Sequence, residues 1–275
     1  EGLALLKSHD LTALGRAEEA AAAWSVARAA TAELVARRGA APALRLQLLA
    51  IDAEAHIATL QQGDLDAAVA GLGALEPRLR ALRAELPGAN EATRLQCAIS
   101  YNLALAMIER RDRAGADRHS EAALAAVHEL ATARPYDPGV LSQLGATLML
   151  RGKLMWLFGR SDDAEALYGE GRAVLERALA AHPAHRGLRA RLGELCNLYA
   201  LLLRQPDRHD EAATMLGRAA DVYRRLAADH PGVRNYRGTL GGVLCNLGIV
   251  KALGGDHEAA LELFGEARTE VDAAL

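Results

Sequence analysis

Alternating runs of Val, Ile and Thr are missing from this 275-residue chain. Without that period of two there is no signal for a half-buried strand, which excludes a sheet-based fold. Aromatic residues make up only 4% of the chain. Cysteine is scarce and odd in number, with Cys97, Cys196 and Cys245 far apart. That spacing excludes a disulfide framework and fits buried thiols in a reducing compartment, so a cytoplasmic setting is expected. No apolar run approaches the roughly 20 residues of a membrane span. The opening "EGLALLKSHDL" has charge and a helical pattern instead of a basic flank and an apolar block, so it is not a signal peptide. Excess positive charge is absent too: 32 Lys and Arg face 35 Asp and Glu, a net charge of -3. Nothing in that balance attracts nucleic acid. A chain opening at Glu1 without Met is expected to be a piece of a larger protein.

The residues present are the strong helix formers Ala, Leu, Arg and Glu, and 51% of the chain is hydrophobic. The chain reads as helical throughout. Prolines supply its ruler. Pro87, Pro135, Pro183 and Pro231 are each separated by 48 residues, and each follows an Ala/Leu/Arg-rich segment: "LRAELPG", "LATARPY", "LAAHPAH", "LAADHPG". Proline just past a helix end is a stop signal. A second landmark falls inside each unit, a polar break followed by an acidic residue and Ala: "LGRAEEAAAAW", "QGDLDAAVAGL", "FGRSDDAEALY", "QPDRHDEAATML", "GGDHEAALELF". Gly closes one helix there, and a carboxylate opens the next at the positive end of its dipole. The third unit lacks the Gly and reads as a longer charged link, "ERRDRAGADRHSEAAL".

Six helix–turn–helix units follow, over about 1–39, 40–86, 87–134, 135–182, 183–230 and 231–275. Their helix pairs are expected at 2–14 and 16–38, 41–62 and 64–85, 89–111 and 117–133, 137–158 and 161–181, 184–204 and 208–229, and 232–254 and 256–274. Pro77 is expected to kink or split the helix that contains it.

These residues resemble the tetratricopeptide repeat, whose pattern sets a small residue in the first helix, Gly at the turn, then Ala, an aromatic and Ala in the second. The sixth unit offers Gly248, Gly255, Ala260, Phe264 and Ala267, and the fourth Gly152, Gly159, Ala164, Tyr168 and Gly171. The first gives Gly15, Ala20, Trp24 and Ala27, and the second Gly63, Ala68 and Leu72. The fifth gives Asn197, Leu198, Ala212 and Ala219, with Pro206 in place of the turn Gly; the third matches through Asn102, Leu103 and Ala104. A bulky side chain at Ala164 or Ala260 is expected to overpack, at roughly 1–3 kcal/mol. The resemblance implies an all-α, right-handed superhelical solenoid of six pairs in one domain over 1–275. The family's unit is about 34 residues, so the added residues lengthen each helix by roughly two turns. "HPGVRNYRGTL" is similar to long-period arrays of large bacterial signalling proteins, often attached to a Ser/Thr kinase.

Motifs for chemistry are wanting. No Gly-rich loop ends in Gly-Lys-Ser/Thr, and "YGEGRAV" at Tyr168 to Val174, like "GLG" at Gly71 to Gly73, reads as close helix packing. Kinase catalytic-loop residues and His-Glu-x-x-His do not occur. His119 and His128 lack a partner at helical spacing, His182, His185 and His230 read as turn residues, and "His-Asp-Glu" at 209 to 211 reads as a helix start. Cys196 and Cys245, in matching "CNL" triplets, read as packing. Arg110, Arg111, Arg113 and Arg118 read as a solvated link, diluted by Asp112 and Asp117. Glu258, Glu262, Glu266 and Glu270 form a solvated outer face or a contact for a basic partner.

The chain is therefore expected to be a non-catalytic protein-interaction module with no cofactor or metal. It would hold a peptide, a helix or a neighbouring domain, without nucleic acid or membrane. The alternative is a regulatory spacer controlling an attached effector domain such as a kinase. In the family, the first helix of each pair lines the concave face. The resemblance implies groove positions at Tyr101, Leu105, Ile108, Met149, Lys153, Trp156, Cys196, Ala200, Leu203 and Ile249, with Cys245 and Ala252 beside them. Among them only Lys153 is basic, so the arginine/lysine clamp for a C-terminal carboxylate is missing, and an apolar or amphipathic helix is the expected ligand. The competing reading places these apolar residues in the core. The helix at 256–274 keeps an apolar face, Ala260, Leu263, Phe264, Ala267, Val271 and Ala274; a continuing chain or a second copy is expected to cover it.

Overall fold

The computed structural model describes residues 17–38 and 41–275. The expected helix at 2–14 and Gly15 lie outside the described residues, as does the side chain of Ala20. Among the described residues there are eleven helices and no strand. They are α1 (Ala17–Arg38), α2 (Pro42–Gln61), α3 (Leu65–Glu85), α4 (Asn90–Glu109), α5 (Arg113–Ala133), α6 (Pro138–Leu157), α7 (Ser161–Ala181), α8 (Arg186–Leu202), α9 (His209–Asp229), α10 (Arg234–Leu253) and α11 (His257–Asp272). The chain divides into two compact units, one ending at Ala133 and one running from Arg134 to Leu275. In each, consecutive helices pack as hairpins: α2 with α3 and α4 with α5 in the first, α6 with α7, α8 with α9 and α10 with α11 in the second.

The period holds to the residue. First helices begin at 42, 90, 138, 186 and 234, and second helices at 17, 65, 113, 161, 209 and 257, always 48 apart. This corrects the third unit. No long link exists there: α5 begins at Arg113, three residues after Arg110. Arg111 takes φ 59°, the left-handed conformation that Gly63, Gly159 and Gly255 take at φ 90°, 78° and 87° in the matching turns. All four turns close in the same way. The amide of the next residue reaches back five positions: Asp64 to Thr59 at 3.2 Å, Asp112 to Met107 at 2.9 Å, Arg160 to Met155 at 2.8 Å and Asp256 to Lys251 at 2.9 Å. Asp64, Asp112 and Asp256 then accept the amides of Ala67, Gly115 and Ala259 with their carboxylates, capping the second helix. In the fourth and fifth units Arg160 and Arg208 hold that position and pair with Asp163 and Glu211, three residues on.

The expectation at Pro77 changes. Pro77 does not split α3, which runs from Leu65 through to Glu85. Pro77 is exposed, on a side of the helix where the carbonyl one turn back that proline leaves without a donor can be hydrated. Pro206 does act as a stop. It ends α8 at Leu202 where the other first helices run three residues further, because the residue before proline is driven out of the α region.

Packing inside the hairpins follows a size rule. In the fourth unit a Cβ added at Gly152 would stand 2.7 Å from Cε1 of Tyr168; in the sixth, one at Gly248 would stand 2.6 Å from Cε1 of Phe264. Where the facing residue is smaller the glycine becomes alanine: Ala200 with Leu216, and Ala104 with Ser120, all buried. A second layer, two turns away, repeats it: Gly145 under Leu175, Gly193 under Tyr223 and Gly241 under Val271. In the fourth, fifth and sixth units the volume across the pair is nearly kept, as close packing demands, while the third, with Ala104 and Ser120, and the second, with His56 at the glycine's position, depart from it. Ala68, Ala116, Ala164, Ala212 and Ala260 occupy one position in five units, all 0–2% exposed. Ala116 and Ala123 thus put the third unit fully in the repeat, a match hidden by the misplaced link.

Charge organises the outer helices. Arg83 pairs with Glu129, Arg218 with Glu176 and Arg224 with Glu266, at 2.9, 3.2 and 2.9 Å, joining successive second helices. Glu270 pairs with Arg237 at 3.0 Å. The glutamate row of α11 is therefore half used inside the molecule, and Glu258 and Glu262 are its exposed members. Exposed pairs of this kind contribute about 0–1 kcal/mol each.

His119 departs from the pattern of its own position. Its counterparts 48, 96 and 144 residues on are Leu167, Met215 and Leu263. It is buried, with Nδ1 3.4 Å from Glu76 Oε1. Burial lowers its pKa below the usual histidine value, outweighing the pull of Glu76, while Arg118 lowers it further and Asp112 raises it. A depressed histidine pKa makes the fold favour the neutral ring. The unfolded chain then takes the proton first as pH drops, so this contribution is intact above the unfolded pKa of about 6.5 and is lost below it. His119→Leu is expected to flatten the fall in urea midpoint between pH 7 and pH 5. An unchanged slope would remove His119 from the acid response.

Candidate interaction surface

The surface of the second unit's first helices is built in register: α6, α8 with the turn after it, and α10 carry equivalent positions at 153/201/249, 156/204/252 and 157/205/253. Lys153 is exposed, Trp156 is 38% exposed and Leu157 is 56% exposed. On α8 and the turn after it stand half-buried Leu201 and exposed Arg204. On α10, Ile249 is 37% exposed, Leu253 56% and Ala252 half-buried. In the first unit Tyr101, Leu105 and Ile108 lie half-buried on α4.

Four of the sequence-derived groove positions, Met149, Cys196, Ala200 and Leu203, are instead buried in the core of the second unit. For three of them the reason is a slip of one residue. The "CNL" triplets at Cys196 and Cys245 are 49 residues apart while the helices are 48 apart. One residue rotates a helical position by about 100°. Cys196 therefore matches Leu244 in the core, and Cys245 matches Asn197 on the open side. Counting from the helix starts would have found it. Cys245 is exposed, contrary to the expectation of three buried thiols, whereas Cys97 and Cys196 are buried. In true register the fifth unit offers Leu201 and Arg204 in place of Ala200 and Leu203, so the face has two cations.

A polar cluster fixes the turn that holds Arg204. Arg208 makes a two-pronged contact with Glu165 at 2.7 and 2.8 Å, and Tyr199 donates its hydroxyl to the same carboxylate at 3.1 Å. The Arg208 hydrogen bonds hold Glu165 below the usual carboxylate range. Burial, then the charge of Glu165, pushes the Tyr199 phenol up. Its ring lies 5.7 Å from that of Tyr168, whose pKa burial raises to about 12. Asn246 Nδ2 donates to Asn197 Oδ1 at 3.0 Å, tying α10 to α8 across the open side.

Reactive chemistry finds little support in the described residues. No group of three His, Cys, Asp or Glu side chains is placed there to hold a metal. Burial raises the Cys196 thiol to about 11, which keeps it protonated. A polar cavity of about 450 Å³ in the first unit is lined by Arg80, Arg83, Thr93, Gln96 and Glu129 among others. Its inner groups satisfy one another: Thr93 donates to Glu129 at 2.8 Å, and Arg83 donates to it at 2.9 Å. The arginines of the third unit are spread over a turn and a helix. Arg110 pairs with Asp66, and Arg113 and Arg118 sit on α5. No described helix is long and apolar enough to cross a membrane.

No family model matches the chain, and no curated protein matches it. Solved structures do. The crystal structure of BtubC (BKLC) from P. vanneervenii is 19% identical and superposes with a TM-score of 0.70, over 94% of this chain and 91% of that one. The apo form of RapI is 9% identical with a TM-score of 0.58, over 98% of each chain. TTC0263, a thermophilic TPR protein of Thermus thermophilus, is 18% identical with a TM-score of 0.50, over 88% of this chain and 98% of its own. At these identities the likeness is one of fold: the chain has the all-α helical-hairpin fold of tetratricopeptide-repeat proteins.

Proposed function

We propose that this protein is a non-catalytic interaction module whose second unit binds an amphipathic helix of a partner protein on the face of α6 and α8. The observation that carries the proposal is Trp156. It is a tryptophan 38% exposed on a first helix, beside a leucine 56% exposed, in a chain with only two tryptophans. Tryptophan is enriched at protein interfaces and among the residues that carry most of their binding energy. Lys153 and Arg204 flank the apolar patch, so the ligand helix would carry acidic residues beside its apolar stripe.

Trp24 is 4% exposed, so a change of emission on binding reports Trp156. Titration with a panel of acidic amphipathic helical peptides is expected to shift that emission to the blue. Trp156→Ala is expected to leave the Tm within a few degrees and to weaken binding about 30-fold, ~2 kcal/mol, as truncated hot spots do. Arg204→Glu should weaken the same peptides and reduce the dependence on salt. A collapse of the Tm in Trp156→Ala would assign the ring to packing and end this reading of the face.

A further inference from the structure

We propose that the polar cavity between α3, α4 and α5 binds a small di- or tricarboxylate, which competes with the side chain of Glu129 for one seat. The repeat supplies its own control. In the later units the position of Arg83 holds Ala131, Leu179 and Ala227, and that of Gln96 holds Leu144, Leu192 and Leu240. The position of Ser100 holds Leu148, Cys196 and Leu244. Leu179 and Leu192 pack against a core cluster of the second unit. The first unit instead sets Arg83 and Gln96 on a space of about 450 Å³, with Gln96 Nε2 donating to the fully buried Ser100 at 2.8 Å. Polar groups at core positions cost stability, and such departures from the local rule mark functional places in a fold. A space of this size suits a small molecule.

Glu129 marks the seat. Arg83 Nη2 donates to its two oxygens at 2.9 and 3.2 Å, and the hydroxyl of Thr93, a residue 3% exposed, donates to it at 2.8 Å. The donors are the inner partners and the carboxylate the outer one: the Glu129 side chain is 53% exposed, against 34% for Arg83. An ion pair this open to water is weak, and rotation of one side chain releases it. No later unit puts an acid there, since the position of Glu129 holds Arg177, Arg225 and Ala273. Arg80, exposed on the same wall, makes no ion pair among the described residues. Once Glu129 turns away, two guanidinium groups and no acid line the cavity. That lining selects an anion, and the flat guanidinium fork suits carboxylates. One carboxylate on Arg83 leaves most of the volume free, so the ligand carries a second for Arg80.

Citrate is the probe, titrated calorimetrically into the whole chain at constant ionic strength, with succinate and inorganic phosphate beside it. Saturable binding of citrate or succinate is expected, weakened about tenfold or more by Arg83→Gln, which removes a charge-assisted contact. Gln96→Leu installs the residue of the later units. It is expected to fold as stably as the wild type and to block the cavity, which keeps the test decisive should Arg83→Gln fail to fold. Glu129→Gln separates a shared seat from a plain structural pair. Without the competing carboxylate, citrate is expected to bind severalfold more tightly. A lower urea midpoint with no gain in affinity would make Glu129 a structural partner and overturn the proposal. Trp156→Ala should leave this binding unchanged, since the two sites share no residue. Three further outcomes overturn it: no saturable binding by the wild type or Glu129→Gln, binding that survives both Arg83→Gln and Gln96→Leu, or phosphate binding as tight as that of citrate, which marks an adventitious ion only.

Discussion

Gly152→Ala is expected to lower the stability of the second unit, although alanine is the better helix former. The propensity gain is about 1 kcal/mol. Against it stands a methyl group placed 2.7 Å from Cε1 and 2.9 Å from Cδ1 of Tyr168, a ring 0% exposed and with no room to retreat. Overpacking of this kind costs roughly 1–3 kcal/mol, so steric conflict wins. The fifth unit shows the remedy, because Ala200 there faces Leu216, both buried. The double variant Gly152→Ala with Tyr168→Leu is therefore expected to recover most of the loss. It also removes the Tyr168 hydroxyl, a buried group with no hydrogen-bond partner. Urea unfolding of the wild type, both single variants and the double variant measures the coupling, expected at about 1 kcal/mol or more. A neutral single variant would show that the pair is not close-packed.

Tyr168→Ala and Phe264→Ala should differ widely although they remove the same element of the repeat. Both rings rest on a glycine, Gly152 and Gly248. Tyr168 is 0% exposed, while Phe264 is 37% exposed. Emptying a closed site leaves a cavity and costs about 3–5 kcal/mol; a site open to water on one side refills, and the loss there should stay below about 2 kcal/mol. Equal losses in the two variants would mean that motif position, and not depth, sets the energy.

The sequence determined the period. Proline and the Gly–Asp turn are local signals, set by one residue's φ or one missing amide, so spacing alone placed the starts of the described helices to within two residues in ten of eleven cases, and missed α5 by four. That miss came from the missing turn Gly of the third unit, which made "ERRDRAGADRHSEAAL" read as a longer charged link. The left-handed φ of 59° at Arg111 is held by the same back-bonding that closes the other turns, which is a property of the assembled hairpin. Helix type, hairpin pairing and the small-against-large rule were legible because they rest on periodicity and volume.

Only the tertiary structure decided which side of each first helix meets water. Cys196 and Cys245 share a triplet, and one residue of slip, about 100° of helix rotation, buries the first and exposes the second. Likewise Glu266 and Glu270 look identical to Glu258 and Glu262 in the chain, yet the former find Arg224 and Arg237 on other helices. Exposure and pairing are relations between distant segments. A motif fixes what a residue resembles, but the neighbours brought by packing fix whether a ligand can reach it.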